Sequence, residues 1–176
     1  HMLAILGVAV DNLSKKEIIQ RVRDFLNEKK FRQIVTVNPE FILEAQKDQK
    51  FRDILNRSDL KIADGIGIRF ALMFQGVWLK SRVTGADLTQ EILAIAERDR
   101  LKVFLAINKE GLSAYKEIKN SIKKIFPNII LRGANLKKNG QKLPLDIFEP
   151  DIVLCNFGAP YQEKFATRLN NGKIIF

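Results

Sequence analysis

A Rossmann-like α/β fold, with a mostly parallel sheet flanked by helices and a small N-terminal strand or hairpin, is what this sequence predicts. Three observations predict it. Short apolar, β-prone runs alternate with segments of helical spacing for most of the length. At 176 residues and 46% hydrophobic, the chain can bury one full core, so a single domain over 3–176 is expected. No repeat period or low-complexity tract interrupts the pattern, and no apolar run is long enough to span a bilayer. His1-Met2 reads as the remnant of a cleaved tag.

Leu3 to Val10 is apolar and broken at Gly7, which predicts a strand or small hairpin at the sheet edge. Ser14 reads as an N-cap, with Glu17 three positions on completing a capping box. Ile18, Ile19, Val22, Phe25 and Leu26 then follow at helical spacing, giving a helix over 15–29. Gln33 to Val37 is a strand that stops at Asn38-Pro39, and proline suits the first turn of the next helix. A short helix is predicted near 50–56, and Leu60 to Ala63 is the strand that delivers Asp64.

Ile66 to Gln75 is helical with apolar residues on most sides, hence buried or interfacial. Gly76 to Gly85 is a connector, and 86–99 a helix. Leu101 to Ile107 reads as strand, 110–125 as a lysine-rich helix, Asn128 to Leu131 as strand, and Gly133 to Gly140 as loop. Ile152 to Phe157, Pro160 to Leu169 and Lys173 to Phe176 complete the pattern as strand, helix and strand. Phe70, Phe74 and Trp78 read first as core, second as a homodimer contact, and third as a groove for a lipid.

Composition narrows the chemistry. The one histidine is His1, so histidine pairs with serine or cysteine, histidine metal sites and imidazole acid–base catalysis all drop out. A general base must be Asp, Glu, Lys, Tyr or the thiolate of Cys155. That cysteine lies in an apolar run and reads as a buried strand residue; a lone cysteine forms no internal disulfide. The formal charge of +10 favours an anionic partner such as a diphosphate, an acidic membrane surface or nucleic acid. Against nucleic acid, the chain has two tyrosines, one tryptophan and no RNA-binding signature, and its basic residues are spread out.

Four segments share one design: Thr36-Val-Asn-Pro-Glu40, Ala63-Asp-Gly-Ile-Gly67, Arg82-Val-Thr-Gly-Ala-Asp87 and Gly158-Ala-Pro-Tyr-Gln-Glu-Lys164. Three of them follow a predicted strand, and open α/β sheets bind ligands outside the carboxyl ends of their strands. Asp64 supplies a carboxylate; Gly65 and Gly67 let backbone approach a ligand; the following helix offers unpaired N–H groups to an anion. Arg82 carries a planar fork suited to phosphate. Together the segments also bring hydroxyl and amide groups suited to sugar hydroxyls.

Each residue also has a plain reading. Asp64 caps the next helix, Thr36 and Asn38 form a strand-end turn, Arg82 pairs with a surface acid, and Gln162 is first-turn polarity. Glu163 and Lys164 read as structural.

These motifs, in this order, resemble the WecG/TagA/CpsF glycosyltransferases of bacterial surface-polymer synthesis, from Ile5 to Phe176. The resemblance implies an inverting, metal-independent transferase without a cofactor, moving a sugar from a UDP-sugar to a polyprenyl-diphosphate-linked acceptor. In its best-known branch N-acetylmannosamine is added to N-acetylglucosaminyl-diphospho-undecaprenol, toward wall teichoic acid. It implies that Asp64 is the general base and that Thr36, Asn38, Arg82 and Gln162 line the sugar and phosphate pocket. It also implies residence at the inner face of the cell membrane.

Other donors, mannosaminuronic acid or a hexose, fit the same residues, and a non-catalytic basic nucleotide- or nucleic-acid-binding module is the alternative from another class. The chain departs from the family at Ala106-Ile107-Asn108, where glycines are common, at Tyr161, where lysine is frequent, and in a shorter 133–150 connector. The family's glycine-rich turn and basic, membrane-associating C-terminal segment are expected to lie beyond Phe176.

Overall fold

A computed structural model of the chain describes residues 3–137, 148–169 and 172–176. The start of the chain is a hairpin, β1 (Leu3–Ile5) and β2 (Val8–Val10), closed by Leu6 and Gly7, both at positive φ. Turns of that geometry match the twist of the strands they join. The Asn56 side chain pins the turn, donating to the Gly7 carbonyl and accepting from the Ala9 N–H. Asp11 then bridges to Ile62 beside the main sheet, so the hairpin sits at a sheet edge as expected.

Helix α1 (Lys15–Asn27) begins at the predicted capping box: the Ser14 hydroxyl accepts from the Glu17 N–H, and the Glu17 carboxylate accepts from the Ser14 N–H. It is followed by β3 (Arg32–Val37), α2 (Pro39–Lys47), α3 (Gln49–Arg57), β4 (Leu60–Ala63), α4 (Ile66–Phe74) and α5 (Gly85–Arg98). The second half is β5 (Lys102–Asn108), α6 (Tyr115–Ile125), β6 (Ile130–Leu136), β7 (Ile152–Cys155), α7 (Tyr161–Ala166) and β8 (Ile174–Ile175).

Six strands form one sheet in the order β4-β3-β8-β7-β5-β6, and every pairing in it is parallel. All carboxyl ends therefore share one rim. On one face Ile34, Ile62, Leu105, Leu154 and Ile174 pack against α1, α5 and α6. On the other, Val35 and Val37 meet Phe41, Phe51 and Leu72, while Phe104, Val153 and Ile175 meet Phe157 and Phe165. Helices thus cover both faces, the Rossmann-like arrangement expected from the alternating pattern. Two-residue β8 is central: Ile174 and Ile175 are 0% and 1% exposed, and each pairs with both β3 and β7. Full burial of such a side chain stabilises by about 1.5–3 kcal/mol.

Three expectations change. The lysine-rich helix starts at Tyr115 rather than near 110, because Asn108 closes a turn by accepting from Glu110 and Gly111 N–H groups. The strand predicted to end at Leu131 continues as β6 to Leu136, through the region read as loop. Gly133 is in that strand for a packing reason: a Cβ there would lie 2.5 Å from the Leu105 carbonyl and 2.6 Å from the Tyr115 ring. Third, Phe70, Phe74 and Trp78 are not core; they are 49%, 86% and 76% exposed. Ile68 and Leu72 already fill the inward face of α4, so residues at other helical angles point out.

The tag remnant, the remainder of the predicted loop to Gly140 and most of the 133–150 connector lie outside the described residues. Among the described residues, no helix is long and apolar enough to cross a membrane.

Candidate functional site at the carboxyl rim

The four motif segments meet at the rim. Asp64 follows β4, with its N–H donated to the Val37 carbonyl at 2.8 Å, which extends the β3–β4 ladder by one residue. Its half-buried carboxylate accepts from the Gly85 N–H, the first residue of α5, at 3.1 Å. Asp64 is therefore not the cap of α4. That position is Gly65, at φ 89°, with no side-chain cap bond. Gly65 and Ile66, at the start of α4 that no side chain caps, line the same depression as Asp64.

The glycines are explained by contact between motifs. A Cβ on Gly67 would lie 2.8 Å from the Pro39 ring, so the first turn of α4 packs directly on the start of α2. A Cβ on Gly85 would come within 3.3 Å of Thr36 Cγ2 and 3.5 Å of Asp64 Oδ2. Thr36, Asp64 and Gly85 thus form one junction. Asn38 is the N-cap of α2, its side-chain oxygen accepting from the Phe41 N–H at 2.9 Å. Among the described residues, its observed engagement is the cap.

Two cavities flank the junction. The larger, about 320 Å³, is walled by Thr36, Gly85, Thr89, Asn156, Gln162 and by apolar residues of β5, β7 and α6. The smaller, about 170 Å³, holds Asp64, Arg69, Arg82 and Thr84. Asp64 does not line the larger cavity; the Gly85 backbone it bonds does. Gln162 thus shares the larger cavity with Thr36, whereas Arg82 belongs to the smaller one.

Within Arg82-Val-Thr-Gly-Ala-Asp87 the roles divide. Thr84 and Asp87 form the capping box of α5, and the Thr84 N–H holds the Asp87 carboxyl below the usual carboxylate range. Arg82 makes no ion pair among the described residues, and neither does Arg69. Both are left available to an anion.

In the last motif Lys164 pairs with Asp48 at 2.5 Å, tying α7 to the cap of α3 and holding Asp48 low. Glu163 is 1% exposed, its Oε2 has no hydrogen-bond partner, and burial pushes its pKa up to about 7. Burial, with Glu163 nearby, also pushes the Cys155 thiol up, so Cys155 is a cavity wall rather than a thiolate nucleophile.

Sequence reasoning missed Arg69, Thr89 and Asn156. Arg69 had a visible signal, as the one charge within Ile66–Phe74. Asn156 had none: its side chain accepts from the Asn108 N–H at 2.6 Å, linking strand ends 48 residues apart.

A parallel sheet with cavities, an acid and two arginines without an ion pair among the described residues at its carboxyl rim defines an α/β protein of the open-sheet class, in which ligands bind at that rim. The model of the glycosyl transferase WecG/TagA/CpsF family matches residues 3–175, and the chain belongs to that family. Among its curated relatives is an N-acetylglucosaminyldiphosphoundecaprenol N-acetyl-beta-D-mannosaminyltransferase of Bacillus subtilis (strain 168). It is 29% identical over 160 residues, which cover 89% of this chain and 59% of the relative. A protein of the same name from Staphylococcus aureus (strain MRSA252) is 28% identical over 169 residues, covering 92% of this chain and 65% of the relative. The chain thus spans about three fifths of the length of the relatives it matches.

Proposed function

We propose that this chain is the core of a glycosyltransferase that moves N-acetylmannosamine from a UDP-sugar to N-acetylglucosaminyl-diphospho-undecaprenol at the inner face of the bacterial membrane. The observation that carries the reading is Asp64, whose carboxylate lines the smaller rim cavity with Arg82, which has no ion pair among the described residues, and bonds the Gly85 backbone that lines the larger one. The names of the relatives supply the sugar and the lipid-linked acceptor.

In this reading the acceptor hydroxyl attacks the anomeric carbon from the side opposite UDP. The C–O bond to UDP breaks as the new C–O bond forms, and Asp64 takes the hydroxyl proton. A positioned carboxylate base contributes about 10²–10⁴ in rate. Negative charge develops on the departing diphosphate, and Arg82 with the N–H groups of α4 is placed to stabilise it. Thr36 and Gln162 orient the donor across the larger cavity. Turnover without a divalent cation is part of the proposal, since fixed cations then carry the charge.

The test is UDP release by the natural full-length protein with a lipid-linked N-acetylglucosamine acceptor and several UDP-sugars, with and without EDTA. Asp64→Asn keeps an oxygen acceptor for the Gly85 N–H, so it should retain the fold and nucleotide binding while losing about 10²–10⁴ in turnover. Turnover at the wild-type rate would falsify the base assignment. A preference for another UDP-sugar would replace N-acetylmannosamine, and loss of rate in EDTA would remove the metal-free step.

A further inference from the structure

We propose that the exposed apolar face of α4 and the segment after it is a docking groove for the prenyl chain of a prenyl diphosphate, with Arg69 gripping the diphosphate where the groove meets the Asp64 cavity. The inference rests on the transferase reading and assigns the acceptor a place on the surface.

Helix α4 has two apolar faces. Ile68 and Leu72 point into the core, whereas Ile66, Phe70 and Met73 are 69%, 49% and 36% exposed. Those three, with Val77, Trp78 and Leu79, line a groove of about 120 Å³. Solvent-facing apolar side chains gathered in one place mark a site for an apolar partner. Ile66 and Arg69 line this groove and the Asp64 cavity alike, so the two depressions are neighbours that share one wall.

Charge selects the occupant. Arg69 and Arg82 line the Asp64 cavity together without an ion pair among the described residues, and Arg69 is the one charged residue that also lines the apolar groove. A molecule with a multiply charged anionic head and a hydrocarbon tail matches that layout in order. The head lies between the arginines within reach of Asp64, and the tail runs over Phe70, Met73 and Trp78 toward the membrane. A second copy of this chain would instead have to bring a counter-charge to the arginines.

Trp78 is the chain's single tryptophan, so its emission reports on this groove alone. The probe is farnesyl diphosphate below its micelle concentration, compared with inorganic pyrophosphate and with farnesol. Farnesyl diphosphate should give a saturable blue shift, at least tenfold tighter than pyrophosphate or farnesol. Arg69→Gln should weaken it at least tenfold. The double change Phe70→Ser, Met73→Ser should do the same while leaving UDP-sugar affinity, measured by calorimetry, unchanged, because the inward face of α4 is untouched.

An unmoved Trp78 emission, an equal response to farnesol, or an undiminished response in Arg69→Gln would overturn the groove. So would a wild-type dimer in sedimentation that farnesyl diphosphate leaves intact. If UDP-sugar still bound in those cases, the transferase reading would stand without this site; failure of UDP-sugar to bind the wild type would strike that reading instead.

Discussion

Replacing Glu163 by glutamine removes one buried proton-binding group and should change how stability depends on pH. Glu163 is 1% exposed, and its Oε2 lacks a hydrogen-bond partner. Burial pushes its pKa from an ordinary 4.5 to about 7, with its own backbone N–H offsetting a little. A raised carboxyl pKa means that the folded protein holds the proton more tightly than the unfolded chain does. Between about 4.5 and 7 the native state binds more protons, so stability falls as pH rises through that window and is level above it. At about 1.4 kcal/mol per pH unit, the full span corresponds to about 3 kcal/mol.

Asp48, Asp87 and Glu17 are held low by their partners, so their stability is lost only as pH falls below the ordinary carboxylate range. They are common to both proteins and cancel in the difference. The assay is urea unfolding of wild type and Glu163→Gln at pH 5, 6, 7 and 8. The wild type should lose about 2.5 kcal/mol relative to the variant between pH 5 and pH 8, since pH 5 already lies inside the window. Parallel stability curves would refute the reasoning, because a group that titrates normally leaves no such difference.

Two glycine substitutions probe packing at the rim and behind it. Gly85→Ala places a methyl 3.3 Å from Thr36 Cγ2 and 3.5 Å from Asp64 Oδ2, so turnover should drop on the order of tenfold to a hundredfold. Thermal stability should hold or rise by up to about 1 kcal/mol, since alanine restricts the unfolded chain, and a variant with full activity would contradict the junction. Gly133→Ala meets the Leu105 carbonyl and the Tyr115 ring and should cost about 1–3 kcal/mol. At roughly 2–4 °C per kcal/mol, that is readable as a lowered Tm; an unchanged Tm would show that α6 shifts to make room.

Local chemistry made much of the molecule legible. The Ser14 and Glu17 pair starts a helix wherever it is placed, because it satisfies N–H groups that the helix itself leaves orphaned. The break at Gly7 marks a tight turn for the same kind of local reason, positive φ at little cost. The alternation of apolar runs and helical spacings implied a parallel sheet, and a parallel sheet puts Thr36, Asp64 and Gln162 on one rim. Local rules were weaker where one segment answers to another. Gly133 reads as loop until the Tyr115 ring is seen above it. Phe70 and Trp78 read as core until Ile68 and Leu72 are seen to occupy that place.

What the sequence by itself determined is most of the elements, the capping box of α1 and the chemical groups delivered at strand ends, since each depends on residues a few positions apart. Strand order was decided by tertiary structure alone: two-residue β8 lies at the centre of the sheet because its apolar side chains find cover on both faces between β3 and β7. The contact of Asp64 with the start of α5, the separation of the rim into two cavities and the absence, among the described residues, of ion pairs at Arg69 and Arg82 follow from that order. They are relations between segments distant in the chain, and no local pattern encodes a distance across a sheet.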